Sequence, residues 1–270
     1  MGLFSFFITI LGGISFADKN NFIPVVDMKN YKNSYLYDNE LHQVNVWEYY
    51  FEQPGNIPLE TALSCQKYIL GKDTGLHEWP PQTAEFFYNK NGALDYWRGL
   101  CKKYIRFKPA VLEKLKELQE KTKGKKILGV SIRGTDYVAM KPHGHPIQPT
   151  PEQVIEKVHD ALHEKNFDAV YLTTEDKKIL AKFQTAFGEK LITLNRDYIN
   201  FDYDDDKWIM AYVAERKNDR YLRGLEYLVS MLFLTKCQGL ITSMTSGSSG
   251  VMCLSEGFEY LYVFDLGVYE

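Results

Sequence analysis

The chain has few cysteines, almost no excess charge and no basic segment ahead of its first apolar run. Each shortage excludes something. Its four cysteines, Cys65, Cys101, Cys237 and Cys253, form no Cys-x-x-Cys pair and have no histidines at zinc-finger spacing. They read as reduced, mostly buried thiols rather than a disulfide framework or a zinc site. Thirty-two Lys and Arg stand against 35 Asp and Glu, a net charge of −3. No basic field is left to hold a nucleic-acid backbone, and no nucleic-acid partner is expected. Repeats and low-complexity tracts are absent. What remains is globular: 45% hydrophobic and 25% charged residues over 270 positions, enough for one large domain or two small ones with a full core.

The first 17 residues, MGLFSFFITILGGISFA, are apolar and run into polar Asp18-Lys-Asn-Asn21. A signal peptide cleaved before Asp18 is one reading, but no Lys or Arg precedes the run, and the chain contains no Asn-x-Ser/Thr sequon. The run is short for a membrane span and is broken by Gly12 and Gly13. Met1-Gly2 resembles a myristoylation start, yet position six is Phe6 rather than Ser or Thr. The competing reading is a buried helix, Leu3 to about Ala17, followed by a strand, Phe22-Ile-Pro-Val-Val-Asp27. A helix with no strand before it implies a natural first strand upstream of residue 1. We expect a cytoplasmic protein, with peripheral association at the inner face of a membrane allowed.

Two textures divide the chain. Residues 1–108 are aromatic-rich and irregular, as in Val46-Trp-Glu-Tyr-Tyr-Phe-Glu52, with turn signals at Pro54-Gly55, Gly71 and Pro80-Pro81. From 109 to 270 the pattern alternates. Val111, Leu112, Leu115 and Leu118 sit at helical spacing, and Ile127–Ile132 is an apolar run of strand length. Thr150-Pro-Glu-Gln153 is a capping box with proline at the first helical position, opening a helix to about Lys165. Strand Ala169–Thr173, a helix from Asp176 to Phe187, strand Leu191–Leu194, a helix near Tyr221–Lys236, strand Gly239–Thr242, a Ser/Gly loop, a short helix and strand Tyr260–Phe264 follow. This predicts an α/β fold whose C-terminal half is a doubly wound parallel sheet.

In such sheets ligands bind beyond the carboxyl ends of the strands, and three ends carry chemistry. Arg133 leaves its strand just before Gly134 and can grip a phosphate with two hydrogen bonds; a structural ion pair is the plainer alternative. Glu175 and Asp176 can meet ribose hydroxyls, or else Thr174 or Glu175 caps a helix. Ser243-Met-Thr-Ser-Gly-Ser-Ser-Gly250 lies between a strand and a helix. Its small residues let backbone N–H groups approach an anion, although no Gly-Lys-Ser/Thr follows as in a P-loop. A surface loop is the alternative there. Together the three ends fit a bound nucleoside diphosphate. Asp202–Asp206 is acidic but consecutive, which suits a solvated loop better than a metal site.

Gly129-Val-Ser-Ile-Arg-Gly-Thr-Asp136 resembles the Gly-Val-His-Val-Arg-Arg-Thr-Asp segment of the α1,6-fucosyltransferases. More loosely, it is similar to the His-x-Arg motifs of α1,2- and protein O-fucosyltransferases. His145-Pro-Ile147 keeps the family's distance after the arginine. Tyr171-Leu-Thr-Thr-Glu-Asp176 looks like Tyr-Leu-Ala-Thr-Asp-Asp, and Leu222-Arg-Gly224 with the 243–246 loop resembles the last motif. The resemblance spans about 126–256. The aromatic stretch before it is similar in character to bacterial capsule or polysaccharide transferases. The family implies two Rossmann-like halves in a GT-B-like arrangement. Residues 1–108 would face a glycan acceptor, and 109–270 would bind a nucleotide sugar, usually GDP-fucose, with no metal or other cofactor. By position, Arg133 would hold the donor's β-phosphate with Gly134 beside it. Ser243, Thr245 and Ser246 would line the diphosphate, and Glu175 and Asp176 would face the nucleoside.

The departures are informative. Ser131 stands where the family has a base-contacting histidine, so the base is open. The family's proposed catalytic acidic residue, eight positions after the arginine, falls on Lys141. Its aspartate in the last long helix falls near Ser230, with Glu226 one turn earlier as a substitute. The expected reaction is an inverting transfer of fucose or a related deoxysugar. His143, on the loop after Arg133, is the candidate base, whereas His145 reads as packing. Trp47, Tyr49 and Tyr50 could stack on acceptor sugars or belong to the core. The rival reading is a degenerate module that binds nucleotide or glycan without turnover. A nucleotide-sugar or phosphate-ester hydrolase would instead show metal carboxylates at a strand end.

Overall fold

A computed structural model describes residues 2–73, 78–133, 135–200 and 214–270. Up to residue 108 the described chain is helices and loops. The helix Leu3–Lys19 (α1) is followed by short helical turns Trp47–Tyr50 (α2), Leu59–Leu63 (α3) and Ala84–Phe87 (α4), then by Ala93–Tyr104 (α5). Pro109–Lys121 (α6) leads into Ile127–Ser131 (β1), Thr135–Met140 (α7), Pro151–Glu164 (α8) and Ala169–Thr173 (β2). Lys177–Phe187 (α9), Leu191–Thr193 (β3), Asp219–Leu234 (α10), Gly239–Ser243 (β4), Ser246–Leu254 (α11) and Tyr260–Phe264 (β5) complete it.

The five strands form one parallel sheet in the order β3-β2-β1-β4-β5. Alternate residues serve opposite faces. Leu128, Val130, Val170, Leu172 and Ile241 pack under α8 and α9, while Ile127, Tyr171, Leu240 and Val263 face α10 and α6. Both faces are covered, which is why the strands read as unbroken apolar runs. The capping box at Thr150 forms as written: its hydroxyl accepts from Gln153 N at 3.2 Å, and Gln153 Oε1 accepts from Thr150 N at 2.9 Å.

The expectation of two Rossmann-like halves holds for one. Among the described residues of 1–108 there is no β-strand, and the segment expected to be one, Phe22–Asp27, pairs with side chains instead. Val26 N donates to Gln53 Oε1 at 2.8 Å, Gln53 Nε2 and Asn45 Nδ2 donate to Val26 O, and Met28 N donates to Asn45 Oδ1 at 3.0 Å. Two amide side chains thus satisfy the backbone groups that a neighbouring strand would have taken.

The apolar opening is a buried helix. Leu3, Phe4, Phe7, Ile8, Leu11 and Ile14 of α1 join the same hydrophobic cluster as α5, α6, α10 and α11. Phe4 meets the Tyr227 ring edge-on at 5.6 Å, and Gly250 of α11 leaves the space that the Phe4 ring occupies. No helix among the described residues is long and apolar enough to cross a membrane. Trp47 and Tyr50 are buried, with Trp47 stacked on Phe51 at 4.1 Å, so these two serve the core rather than acceptor sugars. The cysteines are free, three buried and Cys65 exposed.

Candidate functional site

The strand order reverses between β1 and β4, because the chain leaves β1 toward β2 and leaves β4 toward β5. A crevice opens beyond the carboxyl ends at such a point. Two adjoining recesses occupy it. One is lined by Ser131, Arg133, Thr174, Glu175, Tyr227 and Thr245 among others, and the second by Gly2, Ser34, Tyr35, Arg133, Glu175, Arg223 and Tyr227. Arg133, Glu175 and Tyr227 belong to both.

Arg133 is placed by strand alternation. Ile132 N still bonds to Thr173 O at 3.2 Å and its side chain is buried with the α8–α9 face, so the next side chain turns the other way, into the crevice. Its guanidinium carbon lies 4.6 Å from the centre of the Tyr137 ring, and the edge of that ring meets His145 at 5.3 Å. The plane of the arginine is thereby held by stacking. Across the crevice, Thr245 caps α11 in extended backbone, its hydroxyl accepting from Ser248 N at 3.1 Å. Ser248 Oγ pairs with Thr245 Oγ1 at 2.9 Å and with Thr242 Oγ1 at 2.6 Å. These bonds fix the start of α11, whose dipole favours an anion at that end.

Other expected residues are placed elsewhere. Ser243 is buried and donates to Gln148 Oε1 at 2.6 Å, and Ser246 Oγ accepts from Gln82 Nε2 at 3.1 Å, away from the recess lining. Asp176 is buried and caps α9, accepting from Lys178 N at 2.6 Å and Ile179 N at 3.4 Å. The helix cap thus falls on Asp176 rather than on Thr174 or Glu175, while Glu175 enters the crevice. Glu226 faces away from both recesses and takes the Arg216 fork with both oxygens, at 2.8 and 3.0 Å. The neighbouring Tyr227 reaches both recesses from α10, with Arg223 and Met231 of the same helix lining one each. His143 is exposed, on a turn pinned to the C-terminal segment by Gly144 N to Tyr269 O and Ile147 N to Gly267 O, and it lines neither recess. Gly134 and the Asp202–Asp206 cluster lie outside the described residues. Among those described, no group of His, Cys, Asp and Glu is arranged to hold a metal ion.

Gly2, Ser34, Tyr35, Arg223 and Tyr227 were not anticipated as site residues. Tyr35 and Arg223 are nearly 190 positions apart, and no spacing rule joins them; Leu222-Arg-Gly224 was a matched motif without a role. Leu3 N donates to Tyr35 Oη at 2.8 Å, which docks the start of α1 at the crevice. Burial pushes the Tyr35 phenol well up, reinforced by the nearby Glu175 charge. Burial likewise raises Tyr227, with Arg133 partly offsetting it. Both phenols stay protonated at neutral pH and supply O–H groups, not bases.

No family model matches the chain, and no curated protein matches it. Solved structures do match in fold. A crystal structure of NodZ alpha-1,6-fucosyltransferase soaked with GDP-fucose aligns over 98% of this chain and 92% of its own, with 14% identity and a TM-score of 0.57. A selenomethionine structure of fucosyltransferase NodZ from Bradyrhizobium aligns over 95% and 89%, at 13% identity and a TM-score of 0.56. A further NodZ structure from Bradyrhizobium covers 90% and 86%, at 14% identity and a TM-score of 0.53. The fold is thus similar to that of these fucosyltransferase structures.

Proposed function

We propose that the chain is an inverting glycosyltransferase that moves fucose or a related deoxysugar from a nucleoside-diphosphate donor to a glycan acceptor. The observation that carries this is Arg133 facing the capped start of α11 across the strand-order reversal. The fold neighbour soaked with GDP-fucose lends the donor class. The recess of Arg133, Ser131 and Thr245 suits the diphosphate. The adjoining recess, walled by Gly2, Ser34 and Tyr35, brings residues 1–108 to the acceptor side.

An acceptor hydroxyl attacks the anomeric carbon through an oxocarbenium-like transition state while the nucleoside diphosphate leaves. Negative charge grows on the β-phosphate, where the Arg133 fork and the N-terminal dipole of α11 oppose it. Losing one such donor costs about 2.7–4 kcal/mol of transition-state stabilisation, or about 10²–10³ in rate. No step in this reading calls on a metal, so activity should survive EDTA. Loss on chelation with recovery on Mn²⁺ would move attention to Asp202–Asp206.

The test is a thermal-shift series with GDP, UDP, CDP and ADP, with and without the attached sugar, on the parent and on Arg133→Ala and Arg133→Lys. One diphosphate should stabilise the parent. The Ala variant should bind it weakly and turn nothing over, and Lys should recover little because the fork is lost. Equal binding by Arg133→Ala would sink the phosphate assignment. A non-catalytic module is the second reading, favoured by Lys141 at the family's acidic position and by the exposed His143. Binding with no release of nucleoside diphosphate from any sugar donor would decide for it.

A further inference from the structure

We propose that Glu175 is the general base of the transfer, taking the proton of the attacking acceptor hydroxyl. The inference rests on the transferase reading of the crevice. It follows from what lines the two recesses. Among their described lining residues Glu175 is the one carboxylate, and there is no His, Lys or Cys. Arg133 and Arg223 present guanidinium groups, which donate hydrogen bonds and offer no acceptor. The Tyr35 and Tyr227 phenols are held protonated by burial. His143, the base expected from sequence, lines neither recess.

Position agrees with chemistry. Glu175 borders the recess that suits the diphosphate and also the one walled by Gly2, Ser34 and Tyr35, so it stands at the seam where the anomeric carbon must sit. The support is rigid. Glu175 O accepts from Ile199 N at 2.9 Å, the next residue is fixed as the cap of α9, and the nearly buried Arg196 lies 3.7 Å from Glu175 Oε1. In the step, the acceptor O–H bond breaks and its proton passes to the Glu175 carboxylate. The oxygen's electron pair forms the bond to the anomeric carbon. The bond from that carbon to the β-phosphate oxygen breaks, and its electron pair leaves with the diphosphate beside Arg133. Glu175 then gives the proton to solvent.

The test compares Glu175→Gln and Glu175→Ala with the parent in two assays: binding of the nucleoside diphosphate that stabilises the parent most, and its release from the matching sugar donor. Glu175→Gln should bind the diphosphate with unchanged affinity and lose about 10²–10⁴ in kcat, the usual contribution of a positioned base. Sodium azide is a nucleophile with no proton to lose. It should restore diphosphate release in Glu175→Ala and yield the glycosyl azide, an outcome a structural role would not produce. Weakened diphosphate binding would make Glu175 a nucleoside ligand instead. Undiminished turnover, or no rescue by azide, would also overturn the assignment. Failure of the parent to bind any of the four diphosphates would fell the transferase reading first, and the base with it.

Discussion

Residues 1–108 and 109–270 solve the same problem, satisfying a buried backbone, by different means. The C-terminal half pairs strand with strand, and its helices cover both faces of the resulting sheet. The described N-terminal half has two helices, α1 and α5, and otherwise short turns and loops whose backbone groups bond to side chains such as Asn45, Gln53 and Asp27. A half built this way has few internal ladders and relies on what it packs against. Its large side chains lie in one cluster with α6, α10 and α11, and Tyr50 Oη donates to Tyr221 O of α10 at 2.9 Å. The difference teaches that the irregular half is held in place by the regular one, and that it returns Gly2, Ser34 and Tyr35 to the crevice.

The strongest test of that dependence is to remove residues 1–17. Six large buried side chains of α1 go with them, each contributing about 1.5–3 kcal/mol. The total exceeds most of a domain's margin of about 5–15 kcal/mol. The truncated protein should be insoluble or lack a cooperative thermal transition by circular dichroism. Soluble, cooperatively melting, diphosphate-binding protein starting at Asp18 would show instead that the rest of the chain folds without α1.

A smaller effect is expected where the regular half uses a side-chain tie of its own. Arg216 holds Glu226 with two bonds and Asp219 at 2.8 Å, joining the approach to α10 to the helix itself. Glu226→Gln should lower stability by about 1.5–3 kcal/mol, the range for hydrogen bonds to charged groups. Diphosphate affinity should stay unchanged, because Glu226 faces away from both recesses. Lost affinity at unchanged stability would restore Glu226 to the donor site.

Next is Gln53→Ala. It removes a donor and an acceptor from Val26 and should cost about 1–3 kcal/mol for the amide left without its partner. Chemical denaturation reads it. No loss would mean that water replaces the amide and that the loop is less dependent on it than the geometry suggests.

These two means of satisfying the backbone also explain what could be read from the sequence. Apolar period marks a strand or helix whose own backbone closes its hydrogen bonds, so β1, β2, β4, β5, α6, α8, α9 and α10 were legible to within a residue or two. Phe22–Asp27 has the composition of a strand, but composition does not say whether a strand or two amide side chains will meet its N–H and C=O groups. Of the residues read from the strand ends, Arg133, Glu175 and Thr245 line the crevice, because strand ends are fixed by the alternation. Asp176 and Glu226 each lie one residue from a lining position. The cap of α9 fell on the second carboxylate rather than on Thr174 or Glu175, and a shift of one residue along α10 moves a side chain from Arg216 to the crevice. Tyr35 and Tyr227 needed the tertiary fold.

The smallest expected effect concerns the C-terminal end of α1 and its acid sensitivity. Hydrogen bonds from Lys103 at 2.6 Å and Tyr104 at 2.6 Å lower the Asp18 carboxyl below its ordinary value, against a smaller opposing effect of burial. A hydrogen bond from Lys19 does the same for Glu78. A carboxyl lowered in the folded state binds fewer protons there than in the unfolded chain. Its stabilisation is therefore present above the unfolded carboxylate values of about 4 and is lost as the pH falls through the lower folded ones. Both pairs lie at the surface, so salt screens them and the gain is modest. Asp18→Asn with Glu78→Gln should lower the melting temperature slightly at neutral pH. The parent and variant curves should converge once the pH has fallen below the lowered folded values, where both carboxylates are protonated in either state. Raising the salt should narrow the gap at neutral pH. Curves that stay parallel down to low pH would mean that the packing of α1, not these charges, fixes its far end.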